Sequence, residues 1–326
     1  MYYDNALTPS FFFSTFAHSK MLNPFNPSPL QKLEDDFLVE KGIELYIKRD
    51  DLIHPEIQGN KWRKLKYNLF EARLNGIHTL LTFGGPYSNH IYATAAAAKL
   101  FHFKAIGIIR GEEPTVLSPT LKFAESRGME LYYMDRESYR QKDDPTNLES
   151  LRVQIGDFYL IPEGGTNPLA VEGAAEIIEE IDIPFDYICT AVGTGGTLAG
   201  LVAGLKGEKQ AIGFSSLKGE DTLTAKVFEL SEFVTGFHYN NFSINFDYHF
   251  GGYAKVKPEL IAFIKDFKLK YNIQLEPVYT GKMFYGLFDM IKNDRFTRGS
   301  RIVALHTGGL QGLSGFMDYF PGLELS

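Results

Sequence analysis

The sequence predicts an α/β protein of two domains, each an open parallel sheet flanked by helices. Three observations carry that prediction. Apolar runs of strand length alternate with longer stretches of helical period, the pattern of βαβ units, whose crossovers join parallel strands. At 326 residues, and roughly 150 residues per domain, the chain has room for about two cores. Glycine-rich turns stand where apolar runs end, at residues 84–85, 193–196 and 308–309.

Taken in order, the expected strands are Glu44–Lys48, Thr79–Phe83, Lys104–Ile109, Glu130–Met134, Phe158–Ile161, Tyr187–Ala191, Gln210–Phe214 and Arg301–Leu305. Between them the helical period predicts Lys61–Asn75, Asn89–Leu100, Pro168–Ile181, Thr197–Leu205, Lys257–Tyr271 and Lys282–Asn293. Asn75-Gly76 and Lys206-Gly207 supply glycine where a helix ends in a left-handed residue. A large domain of residues 1–60 and 160–326 is expected, with a smaller one, 61–159, inserted. The charged, proline-containing stretch Asp135–Asn147 reads as an exposed crossing between them. Residues 1–30, with Pro24, Pro27 and Pro29 close together, read as an arm on the body.

Composition removes several function classes. Lys+Arg 33 against Asp+Glu 40 gives a net charge of −7, which argues against a nucleic-acid partner, because phosphate neutralisation needs a positive surface. No apolar stretch approaches the roughly 18–20 residues of a membrane span. The first residues lack the basic region that precedes a secretory signal, and the single cysteine, Cys189, forbids an intrachain disulfide. No metal site is expected. A soluble, cytoplasmic α/β enzyme is the expectation.

Gly193, Thr194, Gly195, Gly196 and Thr197 follow an apolar strand and open a helix. Glycines let an anion approach the backbone N–H groups, and the helix start adds partial positive charge, so the turn suits a phosphate. An ordinary βα turn is the plain alternative. Neither the G-x-x-x-x-G-K-[ST] nor the G-x-G-x-x-G spacing is present, so a lone phosphate fits better than a nucleotide.

Lys61 opens a predicted helix, where the macrodipole repels a cation and lowers an amine pKa. Such an amine suits covalent catalysis, although Lys61, Lys64 and Lys66 also read as a solvated basic face. Ser88, Asn89 and His90 place a hydroxyl, an amide and an imidazole at a second strand–helix junction, where Ser88 or Asn89 also reads as a helix cap. Tyr279 in EPVYTGK, Thr307 in HTGG and Tyr253 in FGGY complete the motifs.

In order and combination, IKRDD with GNKWRKL, then GGPYSNH, IPEGGTN, VGTGGTLAG, EPVYTGK and HTGG, the chain resembles the D-cysteine desulfhydrase and 1-aminocyclopropane-1-carboxylate (ACC) deaminase family. These are pyridoxal 5'-phosphate (PLP) enzymes of the tryptophan-synthase-β-like fold, PLP fold type II, and the resemblance runs from about Leu30 to Gly312. It implies that Lys61 forms the Schiff base with PLP and that Asn89 bonds the cofactor's phenolic oxygen. Residues Gly193 to Thr197 would cradle its phosphate. Ser88 and His90 would face the carboxylate of a small amino-acid substrate, and Tyr279 and Tyr253 would be the active-site tyrosines. The resemblance also implies a homodimer. ACC deaminases resemble VYEGK and HLGG, with a Glu near the pyridine nitrogen. Thr280 and Thr307 stand there instead, which weakens the ring as an electron sink. The pair favours α,β-elimination of D-cysteine to pyruvate, ammonia and hydrogen sulfide over opening of a cyclopropane.

Overall fold

The computed structural model describes residues 25, 27–219 and 222–321. The strands, in chain order, are β1 (Leu30–Leu33), β2 (Glu44–Lys48), β3 (Thr79–Gly84), β4 (Lys104–Arg110), β5 (Met129–Met134), β6 (Tyr159–Ile161), β7 (Tyr187–Val192), β8 (Gln210–Ser215), β9 (Phe242–Asn245) and β10 (Arg301–Leu305). The helices are α1 (Asp36–Lys41), α2 (Asn60–Leu74), α3 (Asn89–Leu100), α4 (Pro119–Ser126), α5 (Arg136–Arg140), α6 (Pro145–Ile155), α7 (Pro168–Glu179), α8 (Gly196–Leu205), α9 (Leu223–Thr235), α10 (Pro258–Tyr271) and α11 (Thr280–Lys292).

Two sheets divide the strands. One has the order β1-β2-β10-β7-β8-β9 and the other β5-β4-β3-β6. Every pairing is parallel except β1 with β2. Parallel sheets are covered on both faces, and alternate residues here feed separate cores. In the larger sheet Leu45, Ile47, Cys189 and Ile302 pack on one side, Ile188, Val303 and Leu305 on the other. In the smaller, Leu80, Ala105 and Ile161 face one core, and Leu81, Phe83 and Ile108 the opposite one. This double burial explains why these strands read as continuous apolar runs rather than alternating ones.

All eight expected strands form, and so do the six expected helices, each displaced by no more than a residue or two at an end. β1 (LQKL) and β9 (FSIN) were not expected, because each is short, lies at a sheet edge and carries only two apolar residues. Asp135–Asn147 is not a crossing between the sheets. It lies between β5 and β6 of one sheet, where Asp135 and Asp144 cap α5 and α6 and Pro145 occupies the first turn of α6. Gly76 is left-handed as expected, whereas at the end of α8 Lys206 itself adopts φ 50° ahead of Gly207. Most of the expected N-terminal arm falls outside the described residues. Its described end is anchored by Ser28, which donates to Asp50 at 2.6 Å, and by the Phe25 ring on Trp62.

Candidate active site

A cavity of about 680 Å³ opens at the carboxyl ends of strands from both sheets. Its lining includes Gly85 beyond β3, Arg110 ending β4, Glu163 beyond β6, Gly193 beyond β7 and Thr307 beyond β10. Parallel sheets place their loops and helix N-termini at that end, which is where ligands of open α/β folds bind.

Lys61 enters the cavity from the first turn of α2. The helix starts there because Gly59 takes φ 60° and ψ −138°, and a Cβ at that position would lie 1.8 Å from the carbonyl oxygen of Thr307. Only glycine permits this approach, and it brings the start of α2 against the 307–309 turn. Further along, the buried Arg63 guanidinium donates to Asp50 and Glu180, fixing the helix to the end of β2 and to the residue after α7. The Lys61 Nζ is 3.4 Å from the carbonyl of Gly164, and burial lowers its pKa to about 8. Without a countercharge a buried amine favours its neutral, nucleophilic form.

Lys64, one turn on, is not part of a solvated face. It is 2% exposed, and its Nζ donates to Thr166 Oγ1 at 2.9 Å, Gly164 O at 3.1 Å and Thr194 Oγ1 at 3.4 Å. Burial, together with the charges of Lys61 and Lys226, holds its pKa well below the ordinary lysine value. An amine with only neutral acceptors, in a pocket beside a glycine turn, is suited to carry its charge when an anion is bound. Asn60 was also missed in the sequence. Its Nδ2 donates to Thr197 Oγ1 at 2.9 Å, tying α2 to the start of α8.

The glycine turn does open α8, with Gly195 at φ 87° as its N-cap. Gly193, Thr194, Gly195 and Thr197 line the cavity, whereas Gly196 lies behind, against Thr166 and Lys64. Thr194 and Thr166 share a short hydroxyl–hydroxyl contact. Lys61 and this turn thus face one cavity, with Gly164 and Lys64 between them.

Ser88, Asn89 and His90 also line it. Ser88 is the N-cap of α3, its Oγ accepting from the backbone N–H groups of His90 and Ile91. Among the described residues its hydroxyl proton has no acceptor. Asn89 faces the turn after β10, since a Cβ on Gly309 would fall 2.5 Å from Asn89 Nδ2. His90 is 2% exposed, with Nε2 2.8 Å from Thr82 Oγ1. That hydroxyl donates to Ile161 O, so it accepts from His90, which fixes the Nε2–H tautomer. Burial and the two lysines hold its pKa well below normal. His90 Nδ1 is a buried acceptor without a protein partner among the described residues, against the Gly164–Gly165 turn. In this state the ring has no donor for a carboxylate.

Across the cavity, Tyr279 lies against Gly193, and its ring meets Tyr253 edge-on at 6.1 Å. Burial raises the pKa of both phenols, Tyr279 far above its ordinary value, so both carry their protons at neutral pH. Tyr279 is held by Glu276, whose buried carboxylate accepts from the N–H groups of Val278, Tyr279 and Thr280 at the start of α11. Thr280 stands apart from the cavity. It is fully buried, with its hydroxyl accepting from Glu276 N at 3.0 Å and donating to the Glu276 carboxylate at 3.2 Å. Only Thr307 of the expected threonine pair lines the cavity, where Gln58, Arg110, Arg136 and Gln311 were not anticipated.

These residues fit PLP on chemical grounds. A desolvated lysine, a glycine turn at a helix start backed by the buried Lys64 amine, and the Asn89 amide surround one cavity. Comparison with known proteins agrees. The family model described as pyridoxal-phosphate dependent enzyme matches residues 22–308. A Pyrococcus furiosus protein provisionally named 1-aminocyclopropane-1-carboxylate deaminase is 36% identical over 85% of this chain and 88% of its own. The mitochondrial bifunctional D-cysteine desulfhydrase/1-aminocyclopropane-1-carboxylate deaminase of Arabidopsis thaliana is 33% identical over 86% of this chain and 76% of its own. A solved structure of an ACC deaminase homologue superposes with a TM-score of 0.79 at 32% identity, covering 90% of this chain and 92% of that one. The fold is the tryptophan-synthase-β-like one of PLP fold type II. The chain therefore belongs to the pyridoxal-phosphate-dependent enzyme family, among relatives named ACC deaminase and D-cysteine desulfhydrase.

Proposed function

We propose that the protein eliminates the β-substituent of a small amino acid, with D-cysteine the best-fitting substrate. D-cysteine and one water give pyruvate, ammonia and hydrogen sulfide. PLP supplies the electron sink that stabilises a carbanion at Cα. Lys61 Nζ holds the cofactor and, once released, takes the Cα proton, a role its lowered pKa favours. Lys64 and the N–H groups of residues 193–197 hold the phosphate. Asn89 orients the ring through its phenolic oxygen, and the Ser88 hydroxyl with the N-terminus of α3 receives the substrate carboxylate. Tyr279, protonated and paired with Tyr253, hands a proton to the departing sulfur.

The observation that carries the choice of substrate is at Thr307. Thr307 lines the cavity there, while the nearby carboxylate, Glu276, is spent on three N–H groups and the Thr280 hydroxyl. A ring nitrogen without a carboxylate partner is a weaker sink, adequate for expelling sulfide, a good leaving group. Assaying sulfide from D-cysteine beside 2-oxobutanoate from ACC tests the reading. Sulfide release is expected, and turnover of ACC alone overturns it in favour of ACC deamination, the other activity in the relatives' names. We further propose that residues 61–159 move as a unit against the rest on substrate binding, that the protein is a homodimer, and that it works in the cytoplasm. Among the described residues no helix is long and apolar enough to cross a membrane.

A further inference from the structure

Lys282 has no part in the reading above, yet its surroundings are specific. It sits in the first turn of α11, where the macrodipole disfavours a cation, and it is 1% exposed. Its ammonium points at two backbone carbonyls, His249 O at 2.9 Å and Gly252 O at 2.7 Å. Those carbonyls belong to a turn with left-handed backbone at Phe250 (φ 54°), Gly251 (φ 101°), Gly252 (φ 119°) and Ala254 (φ 54°). Two of these residues are not glycine, so neighbouring structure must hold the conformation. Within the turn, His249 Nδ1 accepts from Gly251 N–H and His249 O from Gly252 N–H.

The residue after Gly252 is Tyr253, whose ring meets that of Tyr279 edge-on at 6.1 Å. One helix start therefore carries both phenols. Glu276 fixes Tyr279 through three N–H groups, and Lys282 grips the turn that presents Tyr253 through two C=O groups.

We infer that Lys282 is a positioning residue whose ammonium pins the 249–252 turn to α11 and so sets the Tyr253 ring against that of Tyr279 over the site. This rests on the tyrosine pair handling protons in the proposed elimination. Met has no donor for either carbonyl, and Arg keeps the charge but replaces the compact ammonium with a rigid planar fork.

The test uses the cofactor-loaded protein, with Lys282→Met and Lys282→Arg in wild-type and Tyr253→Phe backgrounds. In Lys282→Met, amide exchange at Gly251 and Gly252 should accelerate about tenfold or more, with other segments unchanged. Its kcat on D-cysteine should fall about tenfold while KM moves less than about twofold, and Lys282→Arg should recover part of the loss. In the Tyr253→Phe background the same change should cost less than about twofold. Unchanged exchange, or an equal kcat loss without the Tyr253 hydroxyl, overturns the assignment. Should Lys282→Met fail to fold, Lys282→Gln, which keeps a donor, enters the same cycle. If the wild type turns over neither D-cysteine nor ACC, the functional reading fails while the exchange comparison still decides the tether.

Discussion

Lys61 and Lys64, one helical turn apart on α2, converge on a single acceptor, the carbonyl of Gly164, at 3.4 and 3.1 Å. Burial lowers the pKa of both amines, and the charge of Lys61 adds to the lowering at Lys64. The arrangement divides labour between them. Lys61 can be neutral and nucleophilic, while Lys64, beside the Thr194 turn, gains its countercharge when a phosphate is bound.

Lys64→Met should therefore weaken PLP binding. A charge-assisted hydrogen bond contributes about 1.5–3 kcal/mol, so the dissociation constant should rise about tenfold or more. Titrating cofactor-free protein with PLP, read by visible absorbance, measures it. An unchanged affinity would remove Lys64 from the phosphate site.

Gly59→Ala tests the approach of α2 to the 307–309 turn. A Cβ there meets Thr307 O at 1.8 Å with φ at 60°, so the loss of stability should be at least about 2 kcal/mol. Gly76→Ala is the control, also left-handed at φ 67° but facing open space, and should cost about 1 kcal/mol. Equilibrium denaturation of both variants checks the difference.

Tyr279→Phe removes the proton proposed for the leaving group. kcat on D-cysteine should fall about 100-fold or more, with the visible spectrum of the bound cofactor retained. The double variant with Tyr253→Phe should be little worse than Tyr279→Phe alone, because the phenols act as a unit. Additive losses in steady-state kinetics would argue for separate roles.

Glu172, buried on α7 near Glu176 and Glu71, has its pKa pushed up to about 8, chiefly by burial. In the unfolded chain it ionises near 4.5, so between about pH 4.5 and 8 the folded state binds the extra proton. Its contribution is fully present below the lower value and lost as pH rises through the upper one. Glu172→Gln, which mimics the protonated form, should raise Tm at pH 8–9 by about 2–4 °C or more and change it little at pH 5. Calorimetry at the two pH values decides.

Much of this was legible in the sequence. The interior strands announced themselves because burial on both faces favours nearly continuous apolar runs, as in Ile302–Leu305. Edge strands such as β9 carry no such demand. The Gly193–Thr197 turn and Lys61 were visible as chemistry placed at strand–helix junctions. Lys64 was not, because α2 is buried around most of its circumference, with Trp62, Arg63, Lys64 and Leu65 in succession, and this defeats any reading by face. Thr280 was misplaced for a related reason. Neighbours in sequence at a helix start point in different directions, so Tyr279 lines the cavity while the Thr280 hydroxyl turns back to Glu276. Asp135–Asn147 was polar because it caps helices, not because it joins domains.

The central claim is that Lys61 carries PLP. Borohydride reduction of the cofactor-loaded protein, followed by peptide mass spectrometry, tests it most directly. The account predicts the phosphopyridoxyl mass on Lys61, and none on a Lys61→Ala protein, which should also lack the visible band. Labelling of Lys64 or another lysine in its place, or a Lys61→Ala protein with full turnover, would contradict it.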